Sequence, residues 1–409
     1  TLMLSAVGDY AVGAVGTANS YIGIFIIMFS IISSGMVSVM TQNIGAGRPG
    51  VAYQARQLGL LFNAVAGVLM AVFLFSGAGA ILRMVGIADA LYEPALIYLK
   101  IVGGGCILNA VIPIFSSYLR AFGYTKQPLY ATIVGNIANF VMNAVFLFVL
   151  HKGVAGVAAA TVISKILNLC IVLYFSHKLI SAKNSTERIA NKTVLGQIVK
   201  VGLPSACETA LYNVAMMLVI RFLNQMDAEG LNVTARSYTA TISNFSYCVG
   251  AALAQANAIM TGWHIGAGEL EECDRGTKRA AFVGVCVAVC METAIVLGSG
   301  FIMPLFTDNP EMTALVRKLL AIDIVLEIGR VTNLVFGQAL KTSGDAVFPA
   351  VIAAVFMFVF AVGGTWLFGI SMGLMAVGAY IGLASDECVR AVGMVWRWKT
   401  GKWRTKKLV

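Results

Sequence analysis

Asp323, Glu327 and Arg330 stand four and three residues apart in an otherwise apolar stretch. On a helix these spacings put two carboxylates and a guanidinium on one face. Asp386, Glu387 and Arg390 show a similar spacing further on, and Glu208 and Glu292 stand near the centres of two other apolar runs. An ionised group inside a bilayer costs roughly 2.5–3.5 kcal/mol on insertion scales, so each needs a reason. Pairs such as Glu327–Arg330 and Asp386–Arg390 can simply join helices. The 323–330 set is different, because two acids share one base and Glu208 adds a further acid. Surplus carboxylates can hold a proton, since crowding disfavours a second negative charge, or a sodium ion, since hard cations take oxygen ligands. Glu208, Asp323 and Glu327 are therefore the candidate coupling site. A proton or sodium ion is its expected ligand, and no cofactor is expected.

The first half of the chain carries different chemistry. Lys165 lies at mid-run with Thr161 and Asn168 on the same helical face, and Lys100 lies nearer an end. No comparable acid is present there. Asn136, Asn139 and Asn143 follow one another at spacings of three and four. Asn139, Asn143, Thr161 and Lys165 form a candidate polar site, although the two asparagines serve equally well as hydrogen bonds between helices. Lys165 has no visible counter-ion.

These residues are positioned by membrane helices. The chain is 59% hydrophobic and 12% charged, with a mean hydropathy of +0.84. Soluble domains average about 45–50% apolar and about 25% charged. A spanning helix needs about 20 mainly apolar residues. Eleven such segments are predicted, at 15–41, 57–80, 92–118, 129–150, 153–177, 199–223, 236–262, 279–303, 313–339, 347–369 and 374–397. They must be helices, because lipid offers no partner to open backbone groups. The fold class is an all-α polytopic membrane protein. The eight cysteines are scattered without a C-x-x-C pair, and the three histidines lie apart from one another. No HExxH, GxSxG or P-loop pattern occurs, which argues against hydrolytic chemistry and ATP-driven work.

The odd number has an internal explanation. Ile-Gly-Ala-Gly occurs at 44–47 and again at 265–268, an offset of 221. The same offset matches Leu119-Arg120 with Leu340-Lys341, Gly123 with Gly344 and Pro128 with Pro349. An offset of 220 matches Gly153, Val157 and Ala159 with Gly373, Val377 and Ala379. The chain therefore reads as two copies: an N-lobe at 1–178, a linker at 179–198, a C-lobe at 199–397 and a basic tail at 398–409. The partner of helix 199–223 would precede Thr1, so two six-helix bundles are expected, with most of the first helix missing here. That helix is expected to supply an acid to Lys165.

Lys and Arg set the orientation. Alternate loops and the tail hold nineteen, from Arg48 to Lys407, against five (Arg83, Lys152, Arg236, Arg317 and Lys318) in the opposite loops. This bias places both termini in the cytoplasm. The net charge of +10 follows from it, so no nucleic-acid partner is implied. The cluster Glu269, Glu271, Glu272 and Asp274 reads as a solvated loop. Even-numbered halves are parallel copies about an axis along the membrane normal, a plan that suits rocking transporters.

Several stretches resemble one family. "VGDYAVGAVGTANSYIG" with "SGMVSVMTQNIGAG", then "GNIANFVMNAVFLFVLHKGVAGVAAATVIS" and "VGLPSACE", are similar to the second, the fifth to sixth, and the seventh helices of the multidrug and toxic compound extrusion (MATE) transporters. The resemblance covers essentially the whole chain. It implies a V-shaped cavity between two six-helix lobes. It also implies export of organic, often cationic, compounds in exchange for protons or sodium, by a monomer in the cell membrane. The family's fifth-helix Asn and Asp fall on Asn139 and Asn143, so the acid is an amide here. Thr161 matches a sixth-helix Thr. The seventh-helix Glu matches Glu208, or one turn later Tyr212. The tenth-helix Asp matches Asp323 or Glu327. Tyr212 and Arg330 are thus candidates for lining the substrate cavity. A lipid or lipid-linked oligosaccharide flippase of the same plan is the alternative. Such a protein would line its cavity with Arg and Lys, and Lys165 and Lys100 keep that reading open.

Overall fold

The computed structural model describes residues 9–85, 89–180, 187–227 and 230–409. Every regular element among them is helical. In chain order they are α1 (Asp9–Gly45), α2 (Pro49–Val85), α3 (Asp89–Gly104), α4 (Cys106–Ala121), α5 (Lys126–Ala144) and α6 (Gly153–Leu179). Then follow α7 (Asn191–Met226), α8 (Leu231–Ala267), α9 (Leu270–Ile302), α10 (Pro310–Ser343), α11 (Val347–Phe356) and α12 (Met375–Lys399). The α5 helix runs on as a π turn, Val145–Val149, and α11 as two, Met357–Val362 and Thr365–Ser371. The eight cysteines are free thiols.

Among the described residues, seven passages are long and apolar enough to cross a membrane, or eight if α3 and α4 count as one bent span. The remaining expected spans, α8, α10 and α12, are helices of 37, 34 and 25 residues. They fail a purely apolar criterion because they carry the buried serines, acids and arginines described below.

The chain forms two compact units, Thr1–Ile44 with Arg48–Gly202, and Gly45–Gly47 with Leu203–Val409. In the first, α2 packs on α3 and α4, and α6 packs on α3, α4 and α5. Its core gathers Phe29, Leu74, Leu99, Ala110 and Leu147. In the second, α10 packs against α8, α9 and α12. At Gly329 a Cβ would stand 2.7 Å from the backbone nitrogen of Cys388, so α10 and α12 meet backbone to backbone there. That contact brings the next residue on α10, Arg330, beside Glu387 on α12.

The repeat is visible in the turns. Gly47 and Gly268 both adopt positive φ, +72° and +79°, and so do Gly123 and Gly344, +86° and +98°. Such angles favour glycine, which lacks the clashing Cβ. Arg48 and Glu269 close the same hydrogen bond, to Asn43 O and His264 O, at 2.8 Å. The offset changes at the last helix. Positive φ occurs at His151 and Gly153 in the first unit and at Gly373 and Met375 in the second. A Cβ on Gly156 would strike Phe146, and one on Gly378 would strike Phe368. These pairs correct the offset there from 220 to 222. The one residue added to the offset of 221 is housed in the additional π turn after α11, since a π turn absorbs an insertion without ending the helix.

One expected span is broken. The 92–118 segment bends by 40° at Gly105 between α3 and α4, whereas α10 is continuous. The first unit has Gly103-Gly104-Gly105 where the second has Ile324-Val325-Leu326. Each glycine costs about 1 kcal/mol relative to alanine within a helix.

Glu269, Glu271 and Glu272 are exposed, as a solvated cluster should be, while Asp274 is half-buried and the cluster also anchors the tail. Glu271 pairs with Arg404 at 2.6 Å, Asp274 accepts from the Trp398 indole at 2.7 Å, and Asp345 holds Arg397 at 2.7 Å. Trp398 and Trp403 stack with centroids 4.2 Å apart, and both are buried. The tail is docked on its own unit, because its tryptophans bury apolar area that a solvated basic segment would leave in water.

Candidate functional site: a carboxylate cluster in the second unit

Glu292 on α9 and Asp323 and Glu327 on α10 converge. One carboxylate oxygen from each lies within 4.8 Å of the others, and all three residues are buried. Asp323 and Glu327 stand four residues apart, so they share one face of α10. Both oxygens of Glu292, Oδ2 of Asp323 and Oε2 of Glu327 are buried without a hydrogen bond. Ser246 and Ser243 of α8 approach Glu292 and Asp323 without completing one. Arg330 is the balancing base. It pairs with Glu327, while its Nε lies 3.8 Å from Glu387. Buried carboxylate oxygens that lack donors are costly unless a proton or cation meets them. The ligand atoms are all oxygen, which fits a hard cation such as sodium as well as a proton.

The charges continue along α12. Arg390 Nη2 lies 2.8 Å from both Asp386 and Glu387, and Asn333 donates to Glu387 at 3.0 Å. The 386–390 set is thus an ion-pair group that reaches Arg330 through Glu387. Two cavities flank it, of about 340 and 280 Å3. Tyr212, Tyr247, Arg330 and Glu387 line both, so Tyr212 and Arg330 do face internal space. Asp323 lines the larger one.

Glu208 is placed elsewhere. Its Oε2 pairs with Lys341 at 2.8 Å, and it lines the smaller cavity. Lys341 lies 18 residues beyond Asp323 on α10, about 27 Å at 1.5 Å per residue. Grouping Glu208 with Asp323 and Glu327 is therefore corrected, and Glu292 takes that place. A central position in a span is a fair signal for each acid singly. It carries no information about which helix each one faces.

In the first unit, Asn143 donates to Asn139 at 3.0 Å and Asn139 to Ser164 at 3.4 Å. Thr161 bonds its own helix at Val157 O and stands beside Tyr98. Lys165 donates instead to Asn109 of α4, at 2.7 Å. Asn143, Asn139 and, through Ser164, the Thr161 carbonyl thus form one chain of hydrogen bonds, whereas Lys165 turns to Asn109. Asn109 is not among the residues that spacing singles out, and only its place in the repeat, opposite Arg330, could have marked it. The acid expected for Lys165 from a helix before Thr1 lies outside the described residues.

The family model for MatE matches residues 1–145 and 204–367, well over half of the chain. The chain belongs to the MatE family. Among curated MatE relatives, the uncharacterized transporter YisQ of Bacillus subtilis (strain 168) is 32% identical over 99% of this chain and 90% of its own length. The probable multidrug resistance protein YoeA of the same organism is 24% identical, over 86% of this chain and 78% of its own length. A solved MATE structure in the bent conformation superposes with a TM-score of 0.88 at 19% identity, covering 98% of this chain and 90% of that one. At that identity the likeness concerns the fold alone. As a MatE protein the chain is a multi-span membrane transporter rather than an enzyme. The carboxylate cluster, the two cavities and the half-buried lysine are the parts of this MatE chain with chemistry to contribute.

Proposed function

We propose that this MatE protein is a secondary active exporter of organic compounds, coupled to a proton or sodium ion at Glu292, Asp323 and Glu327. The observation that carries the proposal is the imbalance of three buried acids around one arginine, itself shared with Glu387. Transport of this kind requires an ion that binds one conformation better than another. Neutralising the cluster frees Arg330 from Glu327 and leaves it to Glu387, which lines both cavities. Occupancy of the ion site is thereby felt where a substrate would lie. Relatives named as multidrug resistance proteins, such as YoeA, agree with drug export. The Lys and Arg bias favours a cell-membrane protein with both termini cytoplasmic.

The test is transport in proteoliposomes under an imposed proton or sodium gradient, with a panel of organic cations. Accumulation that follows one gradient and vanishes in Asp323→Asn supports the proposal. Accumulation indifferent to both gradients, or unchanged in Asp323→Asn and Glu292→Gln, overturns it. A lipid or oligosaccharide flippase is the second reading, favoured by Lys165, which pairs with no carboxylate among the described residues. It predicts movement of an anionic lipid headgroup without any gradient.

A further inference from the structure

The outer face of α12 changes character toward its end. Val392, Trp396 and Lys399 stand four and three residues apart, so they share one face of the helix. All three are exposed, Val392 at 69% and Trp396 at 58%. Apolar, aromatic and basic residues thus follow one another in the order of a bilayer's hydrocarbon, interface and headgroup layers. Lys399 is three residues beyond Trp396, about 4.5 Å at 1.5 Å per residue. A headgroup layer is about 5–8 Å deep, so this lysine falls within it.

The segment that follows α12 stays at that level. Gly401 turns the chain back at a φ of +68°. Trp403 then stacks on Trp398, and its indole donates to Trp398 O at 3.1 Å. Trp398 is only two residues past Trp396 on the helix. Further on, the backbone of Lys406 lies against Gly344, where a Cβ would strike Lys406 O, and Leu408 is buried beside it. Gly344 opens the turn into α11, whose Phe348 lies against Trp396 with ring centroids 6.2 Å apart.

The bases of this segment divide by type. The arginines close on the protein, Arg397 on Asp345 and Arg404 on Glu271. Lys399, Lys402, Lys406 and Lys407 are exposed, and none of them pairs with an acid among the described residues. The result is a docked scaffold with four ammonium groups facing outward.

We propose that Lys399, Lys402, Lys406 and Lys407 form a binding surface for anionic lipid headgroups in the leaflet at this end of α12. Each ammonium offers three donors to phosphodiester oxygens, as charge-assisted hydrogen bonds. Basic groups beside a span attract anionic lipid when they lie within a Debye length of the surface, about 8 Å. Docking through Trp403 orders the backbone in advance, so less entropy is lost on binding. The stripe of Val392 and Trp396 beneath Lys399 favours a lipid over a soluble anion, because acyl chains can lie along it while the headgroup meets the lysines. This surface does not depend on the exporter reading.

The test is quenching of tryptophan fluorescence by brominated lipid. Trp366 and Trp396 are the two exposed tryptophans, so Trp366→Phe leaves Trp396 as the lipid-facing reporter. The full chain with this change is placed in phosphatidylcholine vesicles. A minor, equal share of the lipid is brominated phosphatidylglycerol in one set and brominated phosphatidylcholine in the other. The anionic lipid should be enriched about fivefold beside Trp396, the worth of one lysine near a membrane surface. Changing Lys399, Lys402, Lys406 and Lys407 together to Gln should bring the enrichment close to one. Changing Lys178, Arg188, Lys192 and Lys200 of the first unit to Gln removes the same charge and should leave it in place. All eight side chains are exposed, so both variants should fold. Equal quenching by the two lipids, enrichment that survives the first variant, or an equal fall in both variants overturns the site.

Discussion

The two units share a backbone plan and divide the charge between them unequally. Their turns agree glycine for glycine, at Gly47 and Gly268 and at Gly123 and Gly344. Their interiors do not agree. Where the second unit has Asp323, Glu327, Arg330 and Glu387, the first has Val102, Cys106, Asn109 and Lys165. Where the second has a continuous α10, the first bends at Gly105. The repeat preserves what the backbone needs, while the polarity at a given interior position is free to change. The second unit is left with buried carboxylate oxygens lacking donors, at Glu292, Asp323 and Glu327, whereas the orphaned groups buried in the interior of the first are amide atoms of Asn109, Asn143 and Asn168.

The largest effect that would sharpen this contrast is on coupling. Asp323→Asn and Glu292→Gln should each remove gradient-driven accumulation in proteoliposomes, with the protein still folded. The contrast breaks if Lys165→Met removes ion dependence and the acid variants do not. Next comes stability. Arg330→Met strands the buried Glu327 and should cost about 3–5 kcal/mol, the range for breaking one partner of a buried pair. Lys165→Met removes a charge that pairs with no carboxylate among the described residues and should cost far less or nothing. Unfolding midpoints of both variants in one detergent decide this, and equal losses would erase the distinction between the units.

Smaller effects follow. Glu208→Gln neutralises one partner of the mostly buried Lys341 pair (20% and 14% exposed at the side chains); the glutamine oxygen can still accept from the ammonium, so the change should cost about 1–3 kcal/mol, less than the loss of Arg330. It should also leave gradient-driven accumulation in place. Loss of coupling in that variant would return Glu208 to the ion site. The smallest effect lies outside the spans. Asp227 accepts from the backbone N–H of Leu231 at 2.9 Å and of Asn232 at 3.0 Å at the start of α8. Burial tends to raise its pKa, but the hydrogen bonds from Asn232 and Leu231 outweigh this and hold the carboxyl below its ordinary value of 3.8. A depressed pKa contributes stability above the unfolded value and loses it as pH falls through the folded one. Asp227→Asn should therefore cost about 0.3–1 kcal/mol near neutral pH, the worth of an anion at a helix N-terminus. The difference between the two proteins should close below about pH 4, where the unfolded-state carboxyl takes up its proton.

Much of this is legible in residue order. Long apolar runs announce helices because lipid leaves the backbone no other partner. The repeat announces itself through glycines, since few other residues tolerate a left-handed turn. The bend at Gly105 has a visible cause in three successive glycines, yet the hydropathy of 92–118 masks it. Gly153 and Gly373 suggest an offset of 220. A π turn shifts register without changing composition, so only the backbone angles at His151, Gly153, Gly373 and Met375 show the correct pairing. The basic charge of the tail says nothing of its docking, which rests on Trp398 and Trp403 stacked against each other and buried.

Residue order alone establishes that the chain is a duplicated helical membrane protein, and that acids gather in its second half. Hydrophobicity and turn chemistry are local, so they can be read one segment at a time. Which acid meets which was decided by tertiary structure. Glu208 and Glu292 look alike as single carboxylates in apolar helices. The packing of α10 against α9 gives one of them to Asp323, and the other lies beside Lys341, about 27 Å further along α10. The partnership of Lys165 with Asn109 likewise depends on how α4 packs on α6. Burial and pairing are properties of helix contacts, and no single helix carries them.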